Sequence, residues 1–151
     1  MTGWRIGYAA GPAELISAMK TIQSQSTSNP CSISQVAAVA ALSGDQSPVA
    51  KMTAAYKHRH DYVVQVLNEI DGFECRPGEG TFYSLPRVTG ALNALNLDSD
   101  THLVASLIND ADVACVPGSA FGAPGYIRLS FACSMENLKE AMNRIKRLVS
   151  A

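Results

Sequence analysis

The chain has 151 residues, close to the ~150 residues of one average domain, with twelve Lys and Arg against thirteen Asp and Glu for a net charge of −1. That balance excludes electrostatic steering toward nucleic acid or an anionic membrane, and a composition 47% hydrophobic and 17% charged excludes general disorder. No apolar run reaches the roughly 20 residues of a membrane-spanning helix.

The first predicted element is a buried strand over Trp4–Ala10, apolar and partly aromatic, closed by Gly11-Pro12. Pro12 suits the first position of a helix whose apolar face carries Leu15, Ile16, Met19 and Ile22. The polar stretch Ser24–Ser28 reads as a loop. A second helix is expected from Asn29-Pro30, ending at Gly44. Ser47-Pro48 then supplies a capping hydroxyl followed by proline, and apolar residues from Val49 to Ile70 at helical spacing predict a long helix reaching Asp71-Gly72.

From Gly72 onward, strands and helices alternate. Strands are expected at 73–76, 81–85, 113–116 and 126–131. Ser99 and Ser134 are positioned to cap helices, the second with an apolar stripe through Leu138, Met142 and Ile145. The overall expectation is an α/β chain whose second half is an α+β arrangement of helices on a small sheet. The N-terminus lacks the basic segment and long apolar run of a secretory signal. Cys31, Cys75, Cys115 and Cys133 form no CxxC pair, which predicts buried free thiols and a cytoplasmic location.

Histidine offers little chemistry. His58, His60 and His102 form no i, i+4 pair, so they are read as solvated side chains and no metal is expected. The glycine-rich segment 118–125 lacks the Lys-Ser/Thr ending of a phosphate-binding loop and reads as a turn. Two arginines stand out. Arg5 in Trp4-Arg5-Ile6-Gly7-Tyr8 and Arg128 in Tyr126-Ile127-Arg128-Leu129-Ser130 each sit inside an apolar, strand-like run. A guanidinium placed there is expensive unless it meets an anion. That anion is either a carboxylate of the same chain or a ligand phosphate or carboxylate, which arginine holds bidentately.

Four separated stretches together resemble the class I/II aminotransferases of pyridoxal-phosphate fold type I. They are Met1–Tyr8, Gly80-Thr81-Phe82-Tyr83, Val116–Gly122 and Ile127–Ala132, in the family's order and spacing. The resemblance covers the whole chain and is nearest to the bacterial-type aspartate aminotransferases. It implies pyridoxal 5'-phosphate as cofactor, amino acid and 2-oxo acid as substrates, and a homo-oligomer or a missing N-terminal half as partner. It further implies that Arg5 binds the cofactor phosphate, that Arg128 binds the substrate α-carboxylate, and that Phe82 lies near the substrate. Residues 26–29 resemble the segment that approaches a neighbouring subunit's active site.

The resemblance also divides the chain into a remnant of the large domain (1–47, one strand and helices), a long interdomain helix (48–71) and the C-terminal small domain (72–151). In the family, the Schiff-base lysine precedes the position of Met1. Lys20, Lys51, Lys57, Lys139 and Lys146 lack its motif and read as solvated charges, so no catalytic residue is expected in these 151 residues and the isolated chain is expected to be inactive. Two other readings stay open: a non-catalytic binding or oligomerisation module, and part of a fold-type I carbon–sulfur lyase.

Overall fold

Serine caps set two helices where the sequence places them. The Ser99 and Ser134 hydroxyls accept the backbone N–H groups of His102 (3.3 Å) and Asn137 (3.1 Å). The computed structural model describes residues 1–150. Its regular elements are α1 (Ala13–Ser26), α2 (Ser32–Ser43), α3 (Ser47–Leu67), β1 (Tyr83–Ser84), α4 (Thr89–Ala94), α5 (Asp100–Ala111), β2 (Val116–Pro117), β3 (Ile127–Ser130) and α6 (Met135–Val149). The backbone forms two compact units, Met1–Ala50 and Lys51–Ala151.

The first unit is an α1–α2 pair preceded by an irregular segment. The strand expected over Trp4–Ala10 does not form. A short 3-10 turn spans Thr2–Trp4, Arg5 turns left-handed (φ 49, ψ 46), and residues 5–12 have no regular structure. The reason is physical: a strand is stable only when hydrogen-bonded to a neighbour, and the first unit holds no strand with which the segment could pair. Nor is the segment buried, with Trp4 45% and Tyr8 79% exposed. Ser34 is the one buried residue of the unit among those described, and its hydroxyl donates to the Trp4 carbonyl at 2.9 Å. The apolar side chains of Leu15, Ile22, Ile33 and Val36 are exposed. Helix α1 runs through Ser24, expected to be loop, and α2 begins two residues after Pro30. At the start of α3, the Asp45 carboxylate accepts both the N–H (2.9 Å) and the hydroxyl (2.5 Å) of Ser47, so Asp45 takes the role expected of the serine.

The core lies in the second unit. Val63 and Leu67 of α3, Leu103 and Leu107 of α5, Ile127 and Leu129 of β3, and Leu138, Met142 and Ile145 of α6 are all buried. The α6 spacing puts its three on one face, each contributing roughly 1.5–3 kcal/mol by leaving water. The sheet is antiparallel in the order β1-β3-β2, with Tyr83 opposite Ser130 and Val116 opposite Arg128.

Helix α3 stops at Leu67, short of the expected Asp71. Asn68 ends it: its side chain accepts the Cys75 N–H (2.8 Å) and donates to the Cys75 and Val64 carbonyls (2.8 and 2.9 Å). The strand expected at 73–76 reduces to one bridge, Glu74 to Arg87. The next shrinks to two residues because Thr81 adopts φ +65, which breaks the extended run. Gly72, at φ +83, meets the α4 backbone so closely that an added Cβ would lie 2.3 Å from the Ala91 nitrogen. Among the described residues, no helix is long and apolar enough to cross a membrane.

Candidate functional site

Strand alternation explains how an arginine is tolerated in β3. Ile127 and Leu129 point into the core, whereas Arg128 lies on the opposite face and is half-buried. Arg128 forms no ion pair with any described residue, so no carboxylate among them takes the part of its anion. Instead its Cζ lies 4.3 Å from the ring centroid of Tyr83 and 4.4 Å from that of Phe121, over both rings. The register places Tyr83 there, since it sits opposite Ser130, two residues along the same face of β3. Phe82 is half-buried and its ring stands 4.2 Å from that of Tyr83 at 43°. Its carbonyl accepts the Phe131 N–H at 3.0 Å, tying this segment to the end of β3.

Phe121 arrives differently. It closes a 3-10 turn, Gly118–Phe121, that directly follows β2. The segment read as a turn is therefore a turn that carries a side chain to Arg128. Gly118 is required at its start: its N–H donates to the Tyr126 carbonyl at 2.7 Å, and a Cβ would come within 2.3 Å of the Ala123 oxygen. The turn is anchored by Asp100, only 3% exposed, whose carboxylate accepts the Ser119 N–H at 2.7 Å.

The result is a guanidinium with rings against it and its in-plane N–H donors uncommitted to any carboxylate of the described residues. Rings and a planar cation attract without consuming those donors, which leaves the fork free to grip a carboxylate bidentately. Arg5 differs from expectation. It is exposed, belongs to no strand, and adopts the left-handed conformation that costs a non-glycine residue of order 1 kcal/mol or more. It too pairs with no acidic side chain among the described residues.

His60 was expected in solvent and is largely covered, with 13% of its side chain exposed. Its Nε2 accepts the Gly78 N–H (3.0 Å), its Nδ1 lies 3.0 Å from Asp61 Oδ1, and its ring packs edge-on against Phe131. His58 and His102 are exposed as expected. All four cysteines are free thiols, but of the four expected to be buried only Cys75 is; Cys115 and Cys133 are half-buried and Cys31 is exposed. Among the described residues, no group of three or more His, Cys, Asp or Glu could hold a metal ion. A hollow of about 460 Å³ beside α6, walled by Val63, Ser130, Cys133, Asn137 and Arg144, does not include Arg128. It carries none of the chemistry described above.

Sequence reasoning missed Tyr83, Phe121 and Asp100 as parts of this site. Tyr83 and Phe121 lie inside stretches that were singled out, and the strand register that joins them to Arg128 was the absent signal. Nothing in the sequence links Asp100 to Ser119.

The sequence profile of the family described as "Aminotransferase class I and II" matches residues 1–145. Among curated proteins, an aspartate/prephenate aminotransferase of Nitrosomonas europaea is 52% identical over 99% of this chain and 39% of its own length. An aspartate aminotransferase of Geobacillus stearothermophilus is 47% identical over 100% and 38%. Among solved structures, the aspartate aminotransferase of Rhizobium meliloti superposes with a TM-score of 0.84 at 47% identity, covering 99% of this chain and 39% of that one. That of Thermus thermophilus with maleate gives 0.82 at 38%, covering 98% and 38%. The chain thus spans about two-fifths of the length of the relatives it matches.

Proposed function

The chain belongs to the class I and II aminotransferases, and on that premise we propose that it supplies the substrate-carboxylate clamp and one phosphate-binding side chain of a pyridoxal-phosphate-dependent aminotransferase. The overall reaction moves an amino group from an amino acid to a 2-oxo acid in a ping-pong cycle. Aspartate as a donor is supported by the names of the similar proteins. In this reading residues 1–47 belong to the large domain, 48–71 are the connecting helix and 72–151 form the small domain, and the working enzyme is a cytoplasmic homodimer.

The observation that carries the proposal is the state of Arg128: half-buried, flanked by two rings, and paired with no carboxylate of the described chain. Its role is to bind and orient. A substrate held through its α-carboxylate by two parallel N–H···O bonds cannot rotate freely, and orientation of this kind lowers a barrier by spending entropy in advance. Phe82, beside Tyr83, adds apolar surface near the same clamp and limits water.

Arg5 fits a phosphate. Its guanidinium is exposed and pairs with no acidic side chain of the described chain, and its strained backbone is of the kind that persists at ligand-holding positions. Bound pyridoxal phosphate supplies the electron sink that amino-group transfer needs.

The test is Arg128→Ala in the full-length enzyme. The expected result is a higher KM for the amino acid and a kcat/KM lowered by about 2–5 kcal/mol, the cost of removing one partner of a buried charge-assisted pair. An unchanged kcat/KM removes the assignment.

A further inference from the structure

We propose that Tyr83 and Phe121 are positioning residues that act through Arg128, fixing the plane of its guanidinium and covering its faces while leaving its edge free for a carboxylate. The inference rests on the reading of Arg128 as the substrate clamp. It goes further by assigning the clamp's geometry to two rings from separate parts of the chain.

An arginine side chain that must hold one geometry is usually fixed by a carboxylate, which also neutralises it and occupies its N–H donors. Arg128 has no such partner among the described residues. What contacts it are rings at 4.3 and 4.4 Å, inside the ~6 Å range over which a ring quadrupole attracts a cation. A ring is no anion: it attracts the cation without neutralising it, and no described carboxylate occupies the in-plane donors. The charge therefore remains available to a ligand.

Each ring is held by its own backbone anchor. Tyr83 lies in β1, paired to β3, and its ring rests against that of Phe82. Phe121 ends a turn fixed at its start by two anchors, the Gly118 N–H to the Tyr126 carbonyl and the Ser119 N–H to Asp100. An exposed aromatic such as Phe121, 55% exposed, has no packing role large enough to explain a turn held this firmly. Contact with Arg128 does explain it.

The experiment uses the full-length enzyme with four ring variants and Arg128→Ala. Maleate, a non-reacting dicarboxylate, is titrated calorimetrically, and steady-state rates give KM and kcat for the amino acid. Tyr83→Leu and Phe121→Leu should each weaken maleate and raise KM roughly 5- to 30-fold, the loss of one ring–cation contact, with kcat much less affected. Tyr83→Phe and Phe121→Tyr keep a ring and should restore both values. In protein carrying labelled arginine, the side-chain resonances of Arg128 should lose their ring-current shift in the leucine variants only.

Leucine variants with unchanged maleate affinity overturn the proposal, and if Arg128→Ala still loses maleate the clamp itself survives. If Arg128→Ala also leaves maleate binding unchanged, the underlying reading falls and the positioning role with it. Equal losses in the leucine and the conservative variants would show a merely structural role and overturn the proposal as well. Should Tyr83→Leu fail to fold, Phe121→Leu still decides, because that side chain lies mostly outside the core.

Discussion

Removing the Asp100 carboxylate tests how the Phe121 turn is held. Two contributions are lost in Asp100→Ala. The first is the hydrogen bond from the Ser119 N–H, 2.7 Å long and accepted by a charged group that is 3% exposed, worth about 1.5–3 kcal/mol net. The second is a negative charge in the first turn of α5, worth about 0.3–1 kcal/mol against the helix dipole. Ser119 itself is exposed, so water can reach its N–H once the carboxylate is gone, and the lower half of the first range applies. The sum is about 2–3 kcal/mol for Asp100→Ala. Asp100→Asn keeps an acceptor oxygen but loses both the charge assistance of that bond and the favourable charge at the helix start, so it should cost about 1–2 kcal/mol. Urea denaturation of the 151-residue chain gives the stability difference, and amide exchange at residues 118–122 shows whether the loss is local. An Asp100→Ala chain within about 0.5 kcal/mol of the original, with unchanged exchange at 118–122, would refute the reasoning.

Further outcomes follow from the same geometry. At mildly alkaline pH, iodoacetamide should label Cys31 first, because the thiol is exposed at the start of α2 and the backbone N–H groups of Ser34 and Ile33 lower its pKa. Cys115, pushed up to about 11 by burial, should be labelled far more slowly, as should the buried Cys75; peptide mapping that finds the reverse order contradicts this. The hydrogen bond from Lys57, followed by that from His60, holds the Asp61 carboxyl below its ordinary value. Its contribution is thus present above the ordinary carboxylate pKa and lost as pH falls through the lowered one. A carbon-13 titration of the Asp61 carboxyl should therefore give a midpoint below ~3.9 that rises in Lys57→Ala, and an unmoved midpoint counts against the contact. Amide exchange should be slower at residues 127–131 than at 4–10, since β3 is paired on both sides whereas residues 5–12 have no ladder; the opposite ranking in the monomer would be incompatible with this fold.

How far the sequence carried depends on whether a signal was local. The Ser99 and Ser134 caps and the α6 stripe of Leu138, Met142 and Ile145 are decided within one or two helical turns, and they appear as read. Trp4–Ala10 has the composition of a strand, but composition cannot supply a hydrogen-bonding neighbour, and without one the segment stays irregular. Asn68 overrides the helical period because its side chain reaches the Cys75 backbone seven residues on, a contact that periodicity does not see. The same limit separates the two arginines. Arg128 was legible because an isolated charge among Ile127, Leu129 and Phe131 demands an explanation from its immediate neighbours. What surrounds it was not legible, since Tyr83 lies 45 residues away in sequence and Asp100 acts on Phe121 only through Ser119. A charge that is costly to leave unpaired thus announces itself in sequence, whereas the neutral groups that make it usable are found only where register and turn geometry bring them together.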